Sequence, residues 1–141
     1  MSMLHLTYQV PGDDFTRAGE ASGDVKHKLK KLGYEPDAVR RVSIAMYEGE
    51  INMVIHANGG EAVVDIDTDR VDIVLKDQGP GIADVDQAMQ AGWSTAPDNV
   101  RALGFGAGMG LPNMKRNADE FDIQSTVGVG TQILMKFHLK K

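Results

Sequence analysis

The stretch Asp77–Gly110 constrains this chain more than any other. It opens Asp77-Gln78-Gly79-Pro80-Gly81-Ile82 and closes Gly104-Phe105-Gly106-Ala107-Gly108-Met109-Gly110-Leu111. Between them lies a loop-like segment holding Trp93, Ser94, Thr95 and Pro97. Each glycine loses more backbone entropy on folding than any other residue and gives the core no side chain. So many of them in mid-domain imply positive φ angles or close approach of the backbone to something. A nucleotide satisfies that need, with its base at the first run and its phosphates under the second.

The remainder of the chain suits one domain around such a site. Its 141 residues are read as a single domain, 1–141. A hydrophobic content of 42% supplies a core, and 25% charged residues without a low-complexity run argue against disorder. A net charge of −5 argues against a nucleic-acid partner, which recruits a basic surface. The absence of cysteine excludes disulfides and thiolate metal sites, and His5, His27, His56 and His138 lack ligand spacing. No apolar run approaches the roughly 18 residues of a membrane span, and Met1 to Val10 lacks the parts of a signal peptide. The expectation is a cytoplasmic protein that binds neither membrane nor nucleic acid.

Periodicity divides the chain into elements. Met3 to Val10 alternates as a strand, ended by Pro11-Gly12. Asp13 and Asp14 suit a helix N-terminus, and Phe15, Ala18, Ser22, Val25, Leu29 and Leu32 mark one helix side, with Gly33 as its C-terminal stop. Lys26, Lys28, Lys30 and Lys31 suit the end of that helix and read as a solvated face. Pro36 starts a second helix that runs to Ala57, stopped by Asn58-Gly59-Gly60. Val39, Val42, Met46 and Met53 share one of its sides. Glu61–Thr68 and Arg70–Lys76 read as strands around a turn near Asp69. Asp84–Ala91 reads as a short helix, 92–108 as a long irregular segment and Met109–Ala118 as a further helix. Glu120–Thr126 and Thr131–Leu139 are strands joined by a hairpin at Val127-Gly128-Val129-Gly130. That order implies an α+β sandwich, a sheet with helices on one face.

Several residues carry chemistry on this frame. Asp77 stands where a strand ends, where an aspartate is an ordinary turn former. Beside Gly79 and Gly81 it gains a second role, because a carboxylate accepts hydrogen bonds and the adenine 6-amino group donates them. The Gly104–Gly110 run alone reads as a loop. A helix starting at Met109 or Gly110 would instead aim free N–H groups at phosphates. No Gly-Lys-Ser/Thr follows it, so it is not a Walker loop. Nor does it follow a strand directly, as a dinucleotide fingerprint does.

On the second helix Glu48, Asn52 and His56 advance by only about 40° per step, a polar stripe flanked by Ile44, Ile51 and Ile55. Burying such groups unpaired costs about 1–3 kcal/mol each, so they face a ligand, a metal or a polar partner. Asn52 suits Mg²⁺ as a neutral oxygen donor. Glu48, one turn earlier, suits a base for a hydroxyl or water. Glu50 points about 200° from Glu48 and is not read as the base. Gly49 weakens the helix by up to about 1 kcal/mol relative to Ala and reads as admitting a neighbouring element. His56 reads as a packed or capping histidine. Thr131 is either a plain strand residue or a hydroxyl for the base site. Lys115, Arg116 and Arg101 are surface cations or phosphate neutralisers. Trp93 packs the loop or meets a partner.

These pieces in this order resemble the GHKL ATPase superfamily. The Glu48…Asn52 helix is similar to its N box, Asp77-x-Gly79-x-Gly81 to its first glycine box, Gly106-x-Gly108-x-Gly110 to its second and Gly130-Thr131 to its last. The resemblance implies the Bergerat sandwich, with a mixed, mostly antiparallel sheet. It implies ATP and Mg²⁺ as cofactors. Asp77, Gly79, Gly81, Ile82 and Thr131 would serve the base, and Gly106, Gly108, Met109, Gly110, Leu111 and Lys115 the phosphates. Asn52 would bind the metal, and residues 92–108 would form an ATP lid.

Gly92-Trp93-Ser94-Thr95, Gly110-Leu111-Pro112, Lys115-Arg116, Asp119-Glu120-Phe121-Asp122-Ile123 and Gly130-Thr131 narrow the resemblance to the anti-sigma factor kinases, and there to the stressosome switch serine kinases. That group implies a serine/threonine kinase acting on a STAS-domain antagonist or stressosome-like protein, with Glu48 as general base. The alternative is an ATP-dependent switch that binds a sigma factor or phosphatase without chemistry. A histidine-kinase catalytic domain is disfavoured, since the chain has no room for a dimerisation hairpin with a phospho-accepting histidine. A homodimer is expected by analogy alone.

Overall fold

Alternation along the strands decides which way the sheet faces. The computed structural model describes residues 4–12, 18–56, 59–79, 89 and 110–139. Five strands form in it: β1 (Leu4–Pro11), β2 (Gly59–Ile66), β3 (Arg70–Lys76), β4 (Glu120–Thr126) and β5 (Gly130–His138). Every second residue of the central strands is buried: Ala62, Val64 and Ile66, then Val71, Ile73 and Leu75, then Ile133, Met135 and Phe137. They join one hydrophobic cluster with residues of three helices, α1 (Glu20–Lys31), α2 (Pro36–His56) and α3 (Gly110–Asn117). The opposite sheet face carries His5, Gln9 and Gln132, all exposed.

The strand order is β1-β2-β3-β5-β4. Each described pairing is antiparallel, in keeping with the mostly antiparallel sheet expected, and no parallel pair occurs among the described residues. The reason lies in the connections. β2–β3 and β4–β5 are hairpins, and the chain returns from α3 so that β5, not β4, lies beside β3. The two-layer α+β sandwich expected from the sequence is otherwise present. Among the described residues no helix is long and apolar enough to cross a membrane.

Element ends show local rules at work and two departures from expectation. α1 stops as a Schellman motif: Gly33 N–H donates to Lys30 O at 3.1 Å and Tyr34 N–H to Leu29 O at 3.3 Å. Gly33 accepts the left-handed φ of 82° that this motif requires. Leu32, expected on the apolar side, is instead the C-cap and stays 38% exposed. The described start of α1 is Glu20, behind a left-handed Gly19 that provides no side-chain cap. Asp13, Asp14 and Phe15 lie outside the described residues. Gly59 and Gly60, expected only to stop α2, open β2 and pair with Pro11 and Val10. On α2, Val39, Val42, Met46 and Met53 are buried as their spacing predicted.

Candidate functional site

The later half of α2 is where the other elements meet. A Cβ on Gly49 would collide with Leu75 of β3 and lie 3.3 Å from Met114 Sδ of α3. Gly49 therefore does admit neighbouring elements, two of them. A Cβ on Gly60 would collide with Lys76 O, and would lie 2.8 Å from Met53 Sδ and 3.3 Å from Asp77 Cα. So Met53 of α2 and the start of the Asp77 turn converge on the same glycine.

Polar contacts fix the register of α3 on α2. Arg41 donates to Asn117 O at 3.1 Å, and Asn113 Nδ2 donates to Glu48 Oε1 at 3.3 Å. Early α2 thus meets late α3 and late α2 meets early α3, so the two helices run antiparallel. One further turn brings Asn52 and Gly110, the first residue of α3, to the same end of the pair. The N–H groups of Gly110 and Leu111, which a first helical turn leaves without an intrahelical partner, belong to that end. Glu48 and Asn52 are both half-buried, and no described residue hydrogen-bonds the Asn52 amide.

β3 and β5 together hold Asp77. Asp77 Oδ1 accepts the N–H of Gly79 at 3.0 Å and the N–H of Thr131 at 3.1 Å. Asp77 N–H in turn donates to Thr131 O at 3.0 Å. These bonds hold the carboxylate by one oxygen, and among the described residues no donor meets Oδ2. Gly130 makes the approach possible, since a Cβ there would collide with Asp77 O. Thr131 is buried and its Oγ1 lies 2.8 Å from Ser125 Oγ.

Not every expected site residue lands where the sequence suggested. Leu111, expected beside the phosphates, is buried in the core cluster, so its side chain packs inward. Lys115 is exposed in the last turn of α3, about 7.5 Å along the axis from Gly110. Gly81, Ile82, Gly106, Gly108 and Met109 lie outside the described residues, as do Trp93, Arg101 and the lid expected over 92–108. Of the helix expected over Asp84–Ala91 only Met89 is described, packed against the core. The His56 side chain is likewise outside them.

Two residues gain roles the sequence did not assign. Glu50, only 3% exposed, accepts the N–H groups of Gly19, Ala21 and Ser22 at 2.9, 3.1 and 3.0 Å. It caps α1 from α2, which accounts for a buried carboxylate that does not face the site. Its angle on α2 turns Glu50 away from Glu48, and the α1 backbone that satisfies it is distant in sequence. Asn113, which no sequence pattern singled out, meets Glu48 once α3 is docked on α2.

Among the described residues an antiparallel sheet lies under three helices, with Glu48 and Asn52 toward a helix N-terminus and Asp77 at a strand end, and that arrangement defines a class. The chain belongs to the histidine kinase-like ATPase domain family, whose sequence profile matches residues 15–137. That domain is an ATP-binding one.

Among individual proteins it is 35% identical over 112 residues to the serine/threonine-protein kinase RsbT of Bacillus subtilis (strain 168), covering 77% of this chain and 78% of that one. It is 34% identical over 118 residues to an anti-sigma F factor of Clostridium novyi (strain NT), covering 79% of each. Its fold matches the crystal structure of the RsbU and RsbW domains of Rv1364c from Mycobacterium tuberculosis with a TM-score of 0.66 at 15% identity. That match covers 99% of this chain and 33% of the larger one.

Proposed function

We propose that this protein is a Mg²⁺-dependent serine/threonine kinase that uses ATP to phosphorylate a STAS-domain antagonist. The observation that carries the reading is the α2–α3 register, which gathers Glu48, Asn52 and the α3 N-terminus at one end of the helix pair. Similarity to a serine/threonine kinase and to anti-sigma factors supports the substrate class. Asp77 Oδ2 accepts from the adenine amino group, and the first N–H groups of α3 meet phosphate oxygens. The chain acts as a single ATP-binding domain.

Asn52 fits the metal. It offers one neutral oxygen, and among the described residues no cluster of three acidic or histidine side chains competes. Mg²⁺ takes few protein ligands and completes its shell with phosphates and water. When bound it neutralises phosphate charge. In the transfer a serine or threonine oxygen bonds to the γ-phosphorus, the bond from that phosphorus to ADP breaks, and Glu48 takes the hydroxyl proton.

A second reading has its own support in the anti-sigma F factor relatives. In it the protein binds a sigma factor or a phosphatase as an ATP-dependent switch, and transfer is dispensable. Incubation with labelled ATP, Mg²⁺ and STAS-domain proteins of the same genome separates the two. Label on a STAS serine or threonine that disappears with Glu48→Gln is the expected result. Nucleotide binding without transfer, with partner regulation intact in Glu48→Gln, leaves only the switch. Asp77→Asn should weaken ATP binding by about 10- to 100-fold by calorimetry. Unchanged binding would remove Asp77 from the base site.

A further inference from the structure

The geometry points to Asn113 as a positioning residue for Glu48, holding the base from the helix that ends at the phosphates. This inference rests on the kinase reading above. Three observations converge on it. Met114, the next residue, is buried and packs where Gly49 leaves room, which sets the rotation of α3 about its axis. That rotation turns Asn113 toward Glu48, whose Oε1 it meets with Nδ2 at 3.3 Å. Arg116 Nη1 donates to Asn113 Oδ1 at 3.4 Å and so settles which end of the amide faces the carboxylate. With the amide reversed, oxygen would face carboxylate and NH₂ would face guanidinium, two contacts with no donor–acceptor match.

A glutamate side chain has several rotamers, and ordering it costs free energy. Asn113 meets that cost before the substrate arrives. Its bond takes Oε1 and leaves Oε2 for the incoming hydroxyl, and a base held in place reacts faster than one that must search. The arrangement has a further property. Asn113 is one turn from Gly110, so the helix that offers N–H groups to phosphate also sets the angle of the base. Asn113 exchanges no proton and touches no substrate, so it acts only through Glu48.

The test compares wild type, Asn113→Ala, Asn113→Asp, Glu48→Gln and the Asn113→Ala/Glu48→Gln double variant, with Mg-ATP and a STAS-domain protein of the same genome as acceptor. Asn113→Ala should lower kcat about tenfold while the ATP dissociation constant stays within about twofold. Asn113→Asp keeps the shape, replaces the donor with an acceptor, and should fall lower still. The double variant should be no slower than Glu48→Gln, because a residue acting only through Glu48 has nothing left to orient. Losses that multiply, or a changed ATP affinity with kcat intact, overturn the proposal.

A second readout needs no turnover. The carboxamide N–H resonances of Asn113, assigned by their loss in Asn113→Ala, should shift in Glu48→Gln; resonances that stay put overturn the link. Should wild type transfer no phosphate to any acceptor, the kinase reading falls by itself. These resonances then decide whether Asn113 holds Glu48.

Discussion

The two halves of α2 obey different rules. From Pro36 to Met46 it is an ordinary amphipathic helix: Ala38, Val39, Val42, Ala45 and Met46 are buried, and exposed Arg40 pairs with Asp37 at 2.9 Å. From Tyr47 onward it holds a glycine, a buried carboxylate, a half-buried carboxylate and a half-buried amide. Three consecutive residues there turn to three different neighbours. Glu48 meets α3, Gly49 makes room for β3 and α3, and Glu50 caps α1. Each is a poor choice for an isolated helix, and each sets the place of another element. The early half contributes burial and the later half contributes position.

That contrast can be broken at its strongest point first. Glu50→Ala strands two buried N–H groups and a third beside them, and should cost about 3–5 kcal/mol by urea unfolding. A loss under about 1 kcal/mol would mean that water caps α1 equally well. Gly49→Ala should cost about 1–3 kcal/mol through its collision with Leu75, despite the better helix propensity of alanine. Adding Leu75→Ala should make the pair less than additive, and simple additivity would deny the contact.

Glu48→Gln should change stability by no more than about 0.5 kcal/mol, because glutamine keeps the Oε1 that accepts from Asn113 and the position is only half-buried. The smallest effect belongs to the early half, through Asp119. Burial raises its pKa, but the His138 N–H at 2.7 Å and the Arg41 guanidinium outweigh burial and hold it below the ordinary value. A folded-state pKa that is depressed gives stability present in full above the unfolded value and lost as pH falls through the folded one. Asp119→Asn should therefore flatten the fall in Tm at the acid end of a pH series. An unchanged acid limb would show that this link does not couple to folding.

Local signals carried most of the architecture into the sequence. All five strands, the two-layer arrangement and the reach of α2 follow from periodicity and from Gly and Pro, with ends off by one or two residues. Gly49 was legible as an opening because a mid-helix glycine is costly without a tertiary reason. Asp77 was legible because two glycines follow it. What stayed hidden was long-range. Glu50 and the α1 backbone are about thirty positions apart, and Glu48 and Asn113 about sixty-five, so no spacing rule connects them. The all-antiparallel sheet depends on which hairpin strand returns to β3, a topological fact with no local residue to announce it. Leu32 kept helical phase one residue too far, because Gly33 unwinds the chain just there.

The Gly49 and Gly60 contacts have a consequence for measurement inside the molecule. Gly60 ties Asp77 to Met53, and Gly49 ties α3 to the same helix one turn earlier. Asp77 and α3 are therefore both referenced to one helix. The distance from Asp77 to the start of α3 is thus set through α2, by contacts that do not involve the chain between them. The two points of reference on that helix, Gly49 and Met53, stand about one turn apart.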